Sequence, residues 1–94
     1  MRLRFYIDPE TGAPHIYKHQ VSESEVEEVL AGAGEDRPGR DGSRSAIGRT
    51  LSGRLVRVIY VPDPQPDSYF VITGFELRGK AALAYRRRRR KKQR

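Results

Sequence analysis

Two histidines and a lysine form a short group that suits acid–base chemistry. His15 and His19 are the only histidines of the chain, and Lys18 precedes His19. If this segment is helical, the spacing of four residues places both imidazoles on one face. Imidazoles can exchange roles as acid and base near neutral pH. The group therefore suits metal-independent RNA cleavage, in which a base activates the 2′-hydroxyl and an acid protonates the leaving oxygen.

The same side chains have simpler explanations. Both histidines could merely form hydrogen bonds within turns. A zinc site built on His15 and His19 would need a third ligand, and the chain has neither a cysteine nor another histidine. We therefore predict no metal and no cofactor.

Two arginines extend the candidate site. Arg57 alternates with Leu55 and Ile59 along a predicted strand, so its guanidinium should project from an otherwise apolar sheet face. It could clamp a phosphate there, and an edge-strand position or an ion pair with an acidic helix would explain it equally well. The candidate catalytic residues, predicted to face one another across a groove, are His15, Lys18, His19, Arg49 and Arg57.

Charge is divided unevenly along the chain. Residues 78–94 hold ten Lys or Arg and no acid, while residues 1–77 hold nine bases and twelve acids. The net charge of +7 is thus +10 in one segment and −3 in the other. Such a field attracts polyanions, RNA first among them, although a basic run can also be a solvated terminus. The candidate nucleic-acid-binding residues are Tyr85, Arg86, Arg87, Arg88, Arg89, Arg90, Lys91 and Lys92.

Length and composition set the organisation of the chain. The 94 residues can form one small domain, which we place at residues 1–85, and mutual repulsion should leave residues 86–94 as a disordered basic tail. The absence of cysteine fits a reducing compartment. No apolar run approaches the roughly 18 residues of a membrane span, and no signal peptide precedes the domain. We expect a cytoplasmic protein without a membrane partner.

The first half of the chain predicts one strand and one well-defined helix. Residues 3–8 alternate as a strand does, and Pro14 favours a helical turn over a returning strand at residues 14–19. Ser22 and Glu25 form a capping box at the start of a helix, and Val21 and Val26 have the spacing of a hydrophobic staple. Its apolar face comprises Val26, Val29, Leu30 and Ala33.

The second half predicts a meander of strands. Residues 34–45 contain no apolar anchor and should be a long mobile loop. Residues 46–51 and 54–61 read as strands joined by a tight turn at Ser52 and Gly53, and residues 68–76 read as a third strand. A last helix should begin near Gly79. The fold class is α+β: a small antiparallel sheet with two or three helices covering one face.

Several motifs resemble those of BrnT-like toxins. The run Phe5-Tyr6-Ile7-Asp8-Pro9-Glu10, followed after seven residues by Lys18-His19-Gln20-Val21-Ser22, is similar to that family's aromatic, Asp-Pro-Glu and Lys-His-Gly-Val-Ser pattern. Residues 46–50, 52–54, 58–60 and 71–73 resemble its strands. The resemblance implies a RelE-superfamily fold and a small ribonuclease toxin, encoded beside an antitoxin that neutralises it.

The chain also departs from the family pattern. Gln20 stands in place of a glycine, residues 11–14 would interrupt the family's first long helix, and Glu76 stands where the family tends to carry arginine. The missing arginine leaves nuclease activity open, and uncharacterised relatives share the Ile72-Thr73 ending. The alternative function is a non-catalytic module that binds nucleic acid or protein, because a fold does not carry a function by itself.

Four glutamates crowd the first turns of the capped helix: Glu23, Glu25, Glu27 and Glu28. They would repel RNA, so this helix should lie away from an RNA groove. It could instead dock on a basic surface, such as the tail of a second copy. A homodimer and a cognate antitoxin are therefore the protein partners that we consider beside RNA.

Overall fold

The computed structural model describes residues 1–92, and it has an α+β fold. The helical elements are η1 (His15–His19) and η2 (Arg40–Gly42), both 3-10 helices, and the α-helices α1 (Glu23–Ala31) and α2 (Gly79–Lys92). The strands are β1 (Arg2–Phe5), β2 (Glu35–Pro38), β3 (Arg44–Arg49), β4 (Leu55–Pro62) and β5 (Ser68–Glu76).

The five strands form a single sheet in the order β1-β5-β4-β3-β2. Strands β3, β4 and β5 form the predicted antiparallel meander, with β2 added antiparallel to β3. β1 pairs with β5 in parallel, so the sheet is mixed and the expectation of a purely antiparallel sheet is wrong. The residues of β1 do not show whether the strand pairs in a parallel or an antiparallel direction, because their partners lie at Ser68 to Val71, far away in the sequence.

One face of the sheet packs against α1 and η1. Its buried strand residues include Val56 and Val58, which meet Val26 and Val29 of α1 and Ile16 of η1. The capping box of Ser22 and Glu25 is present at the start of α1, as predicted. A Cβ at Gly74 would lie at ordinary contact distance from the side chains of Ile16 and Val21, so the segment that contains η1 packs closely on β5. This face carries the larger part of the core.

The opposite face packs against α2. Ile47, Leu55 and Leu77 are buried there with Ala82 and Tyr85 of the helix. Helices thus cover both faces, and the predicted one-sided cover is wrong. The reason lies in β4, where neighbouring apolar residues Leu55 and Val56 point to opposite faces and each needs its own cover.

The segment predicted to be a long mobile loop contains β2 and η2. The amide of Gly34 donates to the carbonyl of Ile47 at 2.9 Å, and Glu35 follows as the first residue of β2. β2 lies at the sheet edge, where charged residues and a terminal proline are tolerated. The predicted loop is therefore wrong because an edge strand needs few apolar side chains.

The β3–β4 turn spans more than Ser52 and Gly53, since the amide of Gly53 donates to the carbonyl of Thr50.

Helix α2 continues past the predicted domain boundary at Tyr85. The Arg88 guanidinium donates to both carboxylate oxygens of Glu35, at 2.6 and 3.1 Å, and Arg89 donates to the carbonyl of Gly34 at 3.1 Å. These contacts offset the repulsion between neighbouring arginines, so the expectation of a disordered tail from Arg86 onward is corrected as far as Lys92. Positions 93 and 94 lie outside the described residues.

Candidate functional site

A cavity of about 680 Å³ lies beside α2. The rest of its wall comes from the residues that follow α1, from the last residue of β3 and from the first residue of β4. Its wall holds four guanidinium groups together with the ring of Tyr85, and none of the described residues along it is acidic. The arginines are Arg49, Arg86, Arg89 and Arg90. Tyr85 is only 7% exposed, so it forms part of the floor. The cavity thus collects five of the residues predicted from sequence to contact nucleic acid or phosphate.

Backbone carbonyls hold two of these arginines in place. Arg49 donates to the carbonyl of Gly53 at 2.9 Å, and Arg89 donates to that of Gly34 at 3.1 Å. A carbonyl orients a guanidinium without neutralising it. Within residues 1–92, none of the four cavity arginines has a carboxylate within salt-bridge distance, whereas Arg88 beside them is paired with Glu35. The cavity therefore carries concentrated positive charge, which favours an anion.

Gly34 allows Tyr85 to close the cavity wall. A Cβ at position 34 would overlap the Tyr85 hydroxyl and would lie 3.1 Å from Nε of Arg89. Any other residue would displace the tyrosine or the arginine. The cavity thus depends on a glycine that no local pattern in the sequence identifies.

We expect Gly34→Ala to lower the free energy of unfolding by about 1–3 kcal/mol, the usual cost of overpacking. Gly32→Ala is the matched control, because a Cβ there meets no atom within 4 Å. Urea unfolding followed by circular dichroism measures both variants. Equal midpoints for the two variants would contradict a tight contact between Gly34 and Tyr85.

His15 lines a second, smaller pocket, and the ring of His19 lies next to that of His15. The pocket has a volume of about 240 Å³ and is lined in part by Tyr6, Asp8, His15 and Lys18. The ring centroids of His15 and His19 are 5.3 Å apart, so η1 brings the two imidazoles together as predicted. The helical turn expected after Pro14 is confirmed, in 3-10 form. Arg49 does not join this group; it lines the arginine cavity instead.

Asp8 organises the histidine pocket. Its carboxylate is 4% exposed, accepts a hydrogen bond from Lys18 Nζ at 2.8 Å, and lies 3.1 Å from Nδ1 of His15. The other oxygen accepts the amide of Glu10 at 2.9 Å. These hydrogen bonds, that from Lys18 first, lower the pKa of Asp8 from 3.8 to about 2. A carboxylate facing Nδ1 favours the tautomer that leaves Nε2 free to accept a proton.

The low pKa of Asp8 predicts how acid affects the fold. A carboxylate with a depressed pKa contributes stability fully above its unfolded value, near 3.8, and that stability is lost as the pH falls through about 2. Asp8→Asn should therefore unfold at a lower temperature than wild type at neutral pH. The difference between the two unfolding temperatures should become smaller as the pH falls from about 3.8 to about 2. Thermal unfolding at a series of pH values tests it. Glu27→Gln, which changes an exposed carboxylate, serves as the control.

Arg57 lies on the α2 face between Ile47 and Phe75 in the strand register. β4 is an interior strand and α1 packs on the opposite face, so an edge position and an ion pair with the acidic helix are both ruled out as explanations. Among the described residues, Nε of Arg57 and Oγ1 of Thr73 are buried without a hydrogen-bond partner. Phe75 also meets His19, with ring centroids 6.0 Å apart, so one aromatic ring separates Arg57 from the histidines.

The exposed part of α2 carries most of the remaining basic candidates. Arg86, Arg87, Arg90 and Lys91 are exposed, Arg88 is engaged with Glu35, and Lys92 belongs to the last turn of the helix. Of the residues predicted to bind nucleic acid, Arg88 thus has a structural role and Tyr85 is buried. The exposed members form an open basic surface on α2.

Two departures from the BrnT pattern have structural counterparts. Gln20 has a φ of 58°, a left-handed conformation that glycine adopts more readily. Glu76 accepts a hydrogen bond from Arg78 at 2.9 Å and lies 3.6 Å from Arg54, so it forms part of an ion-pair network. Glu76 therefore has a structural role beside α1, on the face opposite Arg57.

Asp8 is a site residue that was not predicted from the sequence, although its aspartate-proline turn resembles the family motif. The only available signal was an acid seven residues before His15 in a turn-forming segment.

Within the described part of the chain, no group of three metal-binding side chains is assembled, and no helix is long and apolar enough to cross a membrane. No family model, curated protein or solved structure matches the chain.

Proposed function

We propose that this chain is a toxin-like RNA-binding domain that acts in the cytoplasm. The observation that carries the proposal is the cavity whose four arginines lack a carboxylate partner among residues 1–92. Like charges held close together along one cavity repel one another, and a bound anion offsets that repulsion. The phosphates of a nucleic acid supply that anion.

The exposed surface of α2 extends the cavity into a binding path. Arg87 and Lys91 lie on the same helix as Arg86 and Arg90, which line the cavity. Glu35 neutralises Arg88 of this helix, and Asp36 is paired with Arg44, so neither acid is paired with Arg86, Arg87 or Arg90. A backbone could therefore contact the helix along several successive phosphates.

The histidine pocket favours RNA over DNA and supports a second candidate function, metal-independent RNA cleavage. Asp8 orients His15, His19 lies beside it, and Lys18 brings a cation to the same pocket. This chemistry requires a 2′-hydroxyl, which DNA lacks. In this scheme His15 and His19 exchange protons with the reacting oxygens, and Lys18 is the candidate cation for the phosphate.

A cognate antitoxin or a second copy of the chain would be the protein partner of such a domain. An acidic partner segment could cover the same arginines that hold RNA, and its binding would then exclude RNA. The exposed glutamates of α1, such as Glu23 and Glu27, offer an acidic surface for the basic α2 of a second copy. The alternative function is a binding module without catalysis.

Salt-dependent RNA binding tests the proposed function. The affinity of a short fluorescein-labelled RNA, measured by fluorescence anisotropy, should fall steeply between about 50 and 200 mM salt. Four phosphate contacts to a single strand would give a slope of about −2.8 in log K against log salt. Binding that is absent, or flat across this range, would contradict the proposal.

A further inference from the structure

We propose that the arginine cavity binds a terminal phosphate, the phosphomonoester at the end of an RNA strand or of a mononucleotide. This inference rests on the proposed function, because it assigns the substrate class to the same RNA-binding surface. It distinguishes the cavity from the open face of α2, which contacts internal phosphates.

The charge in the cavity fits a dianion better than a monoanion. A phosphomonoester carries a charge of about −1.5 to −2 at pH 7 and offers three acceptor oxygens, whereas an internal phosphodiester carries one charge and has two free oxygens. Four guanidinium groups line the cavity, and two of them are oriented by carbonyl contacts. A planar guanidinium group can donate two parallel hydrogen bonds to two oxygens of one phosphate.

The size of the site also admits a strand end. Its volume of about 680 Å³ is within the range of pockets that take small ligands, so a phosphate can enter with its nucleoside. Leu55 and Tyr85, which are almost fully buried, supply an apolar part of the wall for the ribose or the base.

The neighbouring basic groups explain how a strand could continue from the cavity. Arg86 and Arg90 lie one turn apart on α2 and line the cavity, while Arg87 and Lys91 are exposed on the same helix and lie outside its lining. A strand whose end occupies the cavity can therefore run along α2. The end phosphate supplies specificity, and the helix supplies general affinity.

The test compares one RNA sequence with three different ends. Fluorescence anisotropy measures the affinity of the 5′-phosphorylated, the 3′-phosphorylated and the unphosphorylated oligonucleotide at the same salt concentration. We expect one phosphorylated form to bind tighter by about tenfold or more, as additional charge-assisted hydrogen bonds predict. The preferred form identifies which end enters the cavity.

Matched variants separate the cavity from the helix surface. The double variant Arg49→Ala, Arg86→Ala should lose the preference for the phosphorylated form. The control Arg87→Ala, Lys91→Ala removes the same charge outside the cavity lining, so it should weaken all three oligonucleotides and keep their ratio. If the double variant does not fold by circular dichroism, Arg86→Ala alone, an exposed position, repeats the comparison.

The outcomes distinguish this inference from the proposed function. Equal affinity of the wild type for all three oligonucleotides overturns the terminal-phosphate site and leaves RNA binding intact. Failure to bind any of them overturns the proposed function. In that case, titration with a nucleoside 5′-monophosphate and a nucleoside 3′-monophosphate decides the inference: heat of binding that disappears in the cavity variant supports it, and no heat with either overturns it.

Discussion

Replacing Arg86, Arg87 and Arg90 with alanine should lower the affinity for single-stranded RNA on the order of 10²-fold at about 0.1 M salt. Each of the three side chains is exposed on α2 and available to a phosphate. Each lost contact should reduce the salt slope by about 0.7, so the three together should reduce it by about 2. Fluorescence anisotropy across a salt series measures both quantities.

The control for this prediction carries the same change in net charge. Arg2, Arg40 and Lys80 are also exposed but lie on β1, η2 and the first turn of α2. Replacing these three with alanine should change the affinity and the salt slope much less. If both triple variants lose affinity equally, RNA responds to the overall charge of the protein and α2 is not a binding surface.

Replacing His15 or His19 with alanine should slow RNA cleavage by about 10²- to 10⁴-fold, the usual effect of losing a general acid or base. The proposed reaction proceeds by internal attack of the 2′-hydroxyl, so the products should carry 2′,3′-cyclic phosphate ends. Gel separation of end-labelled RNA, with mass analysis of the products, measures the rate and the chemistry together. Tyr17→Phe is the control on the same 3-10 helix, since it removes only the hydrogen bond to Glu23.

Asp8 adds a more specific readout to this prediction. In the proposed mechanism it is a positioning residue, because it contacts His15 and Lys18 and would act on the reaction through them. Asp8→Asn should change the pH dependence of the cleavage rate, whereas partial unfolding would only lower the active fraction at every pH. Undiminished cleavage by the double variant His15→Ala, His19→Ala would exclude the histidine mechanism.

The sequence predicted the secondary-structure elements that are determined by residues close together in the chain. The capping box of Ser22 and Glu25 depends on residues within one helical turn, and α1 begins where it indicates. The long third strand of the meander is rich in β-branched and aromatic residues, and β5 spans Ser68–Glu76 as expected. The spacing of His15 and His19 likewise predicted their contact.

The remaining features depend on partners distant in sequence. β2 is charged and short, and it is a strand because it pairs with β3 and because Arg88 reaches Glu35 from α2. The helical end of α2 depends on the same contacts. Asp8 entered the site because a turn brings it to His15, and the arginine cavity exists because Gly34 lets Tyr85 approach.

The parallel pairing of β1 with β5 has a consequence for synthesis on the ribosome. Arg2 pairs with Ser68, so the first strand to be translated must await the last one. At synthesis rates of about 5–20 residues per second, adding the 66 residues from Leu3 to Ser68 takes roughly 3–13 s. During that interval Leu3 and Phe5 lack the strand that will cover their backbone edge. Completion of the sheet at β1 is therefore a late step, which must follow the synthesis of β5.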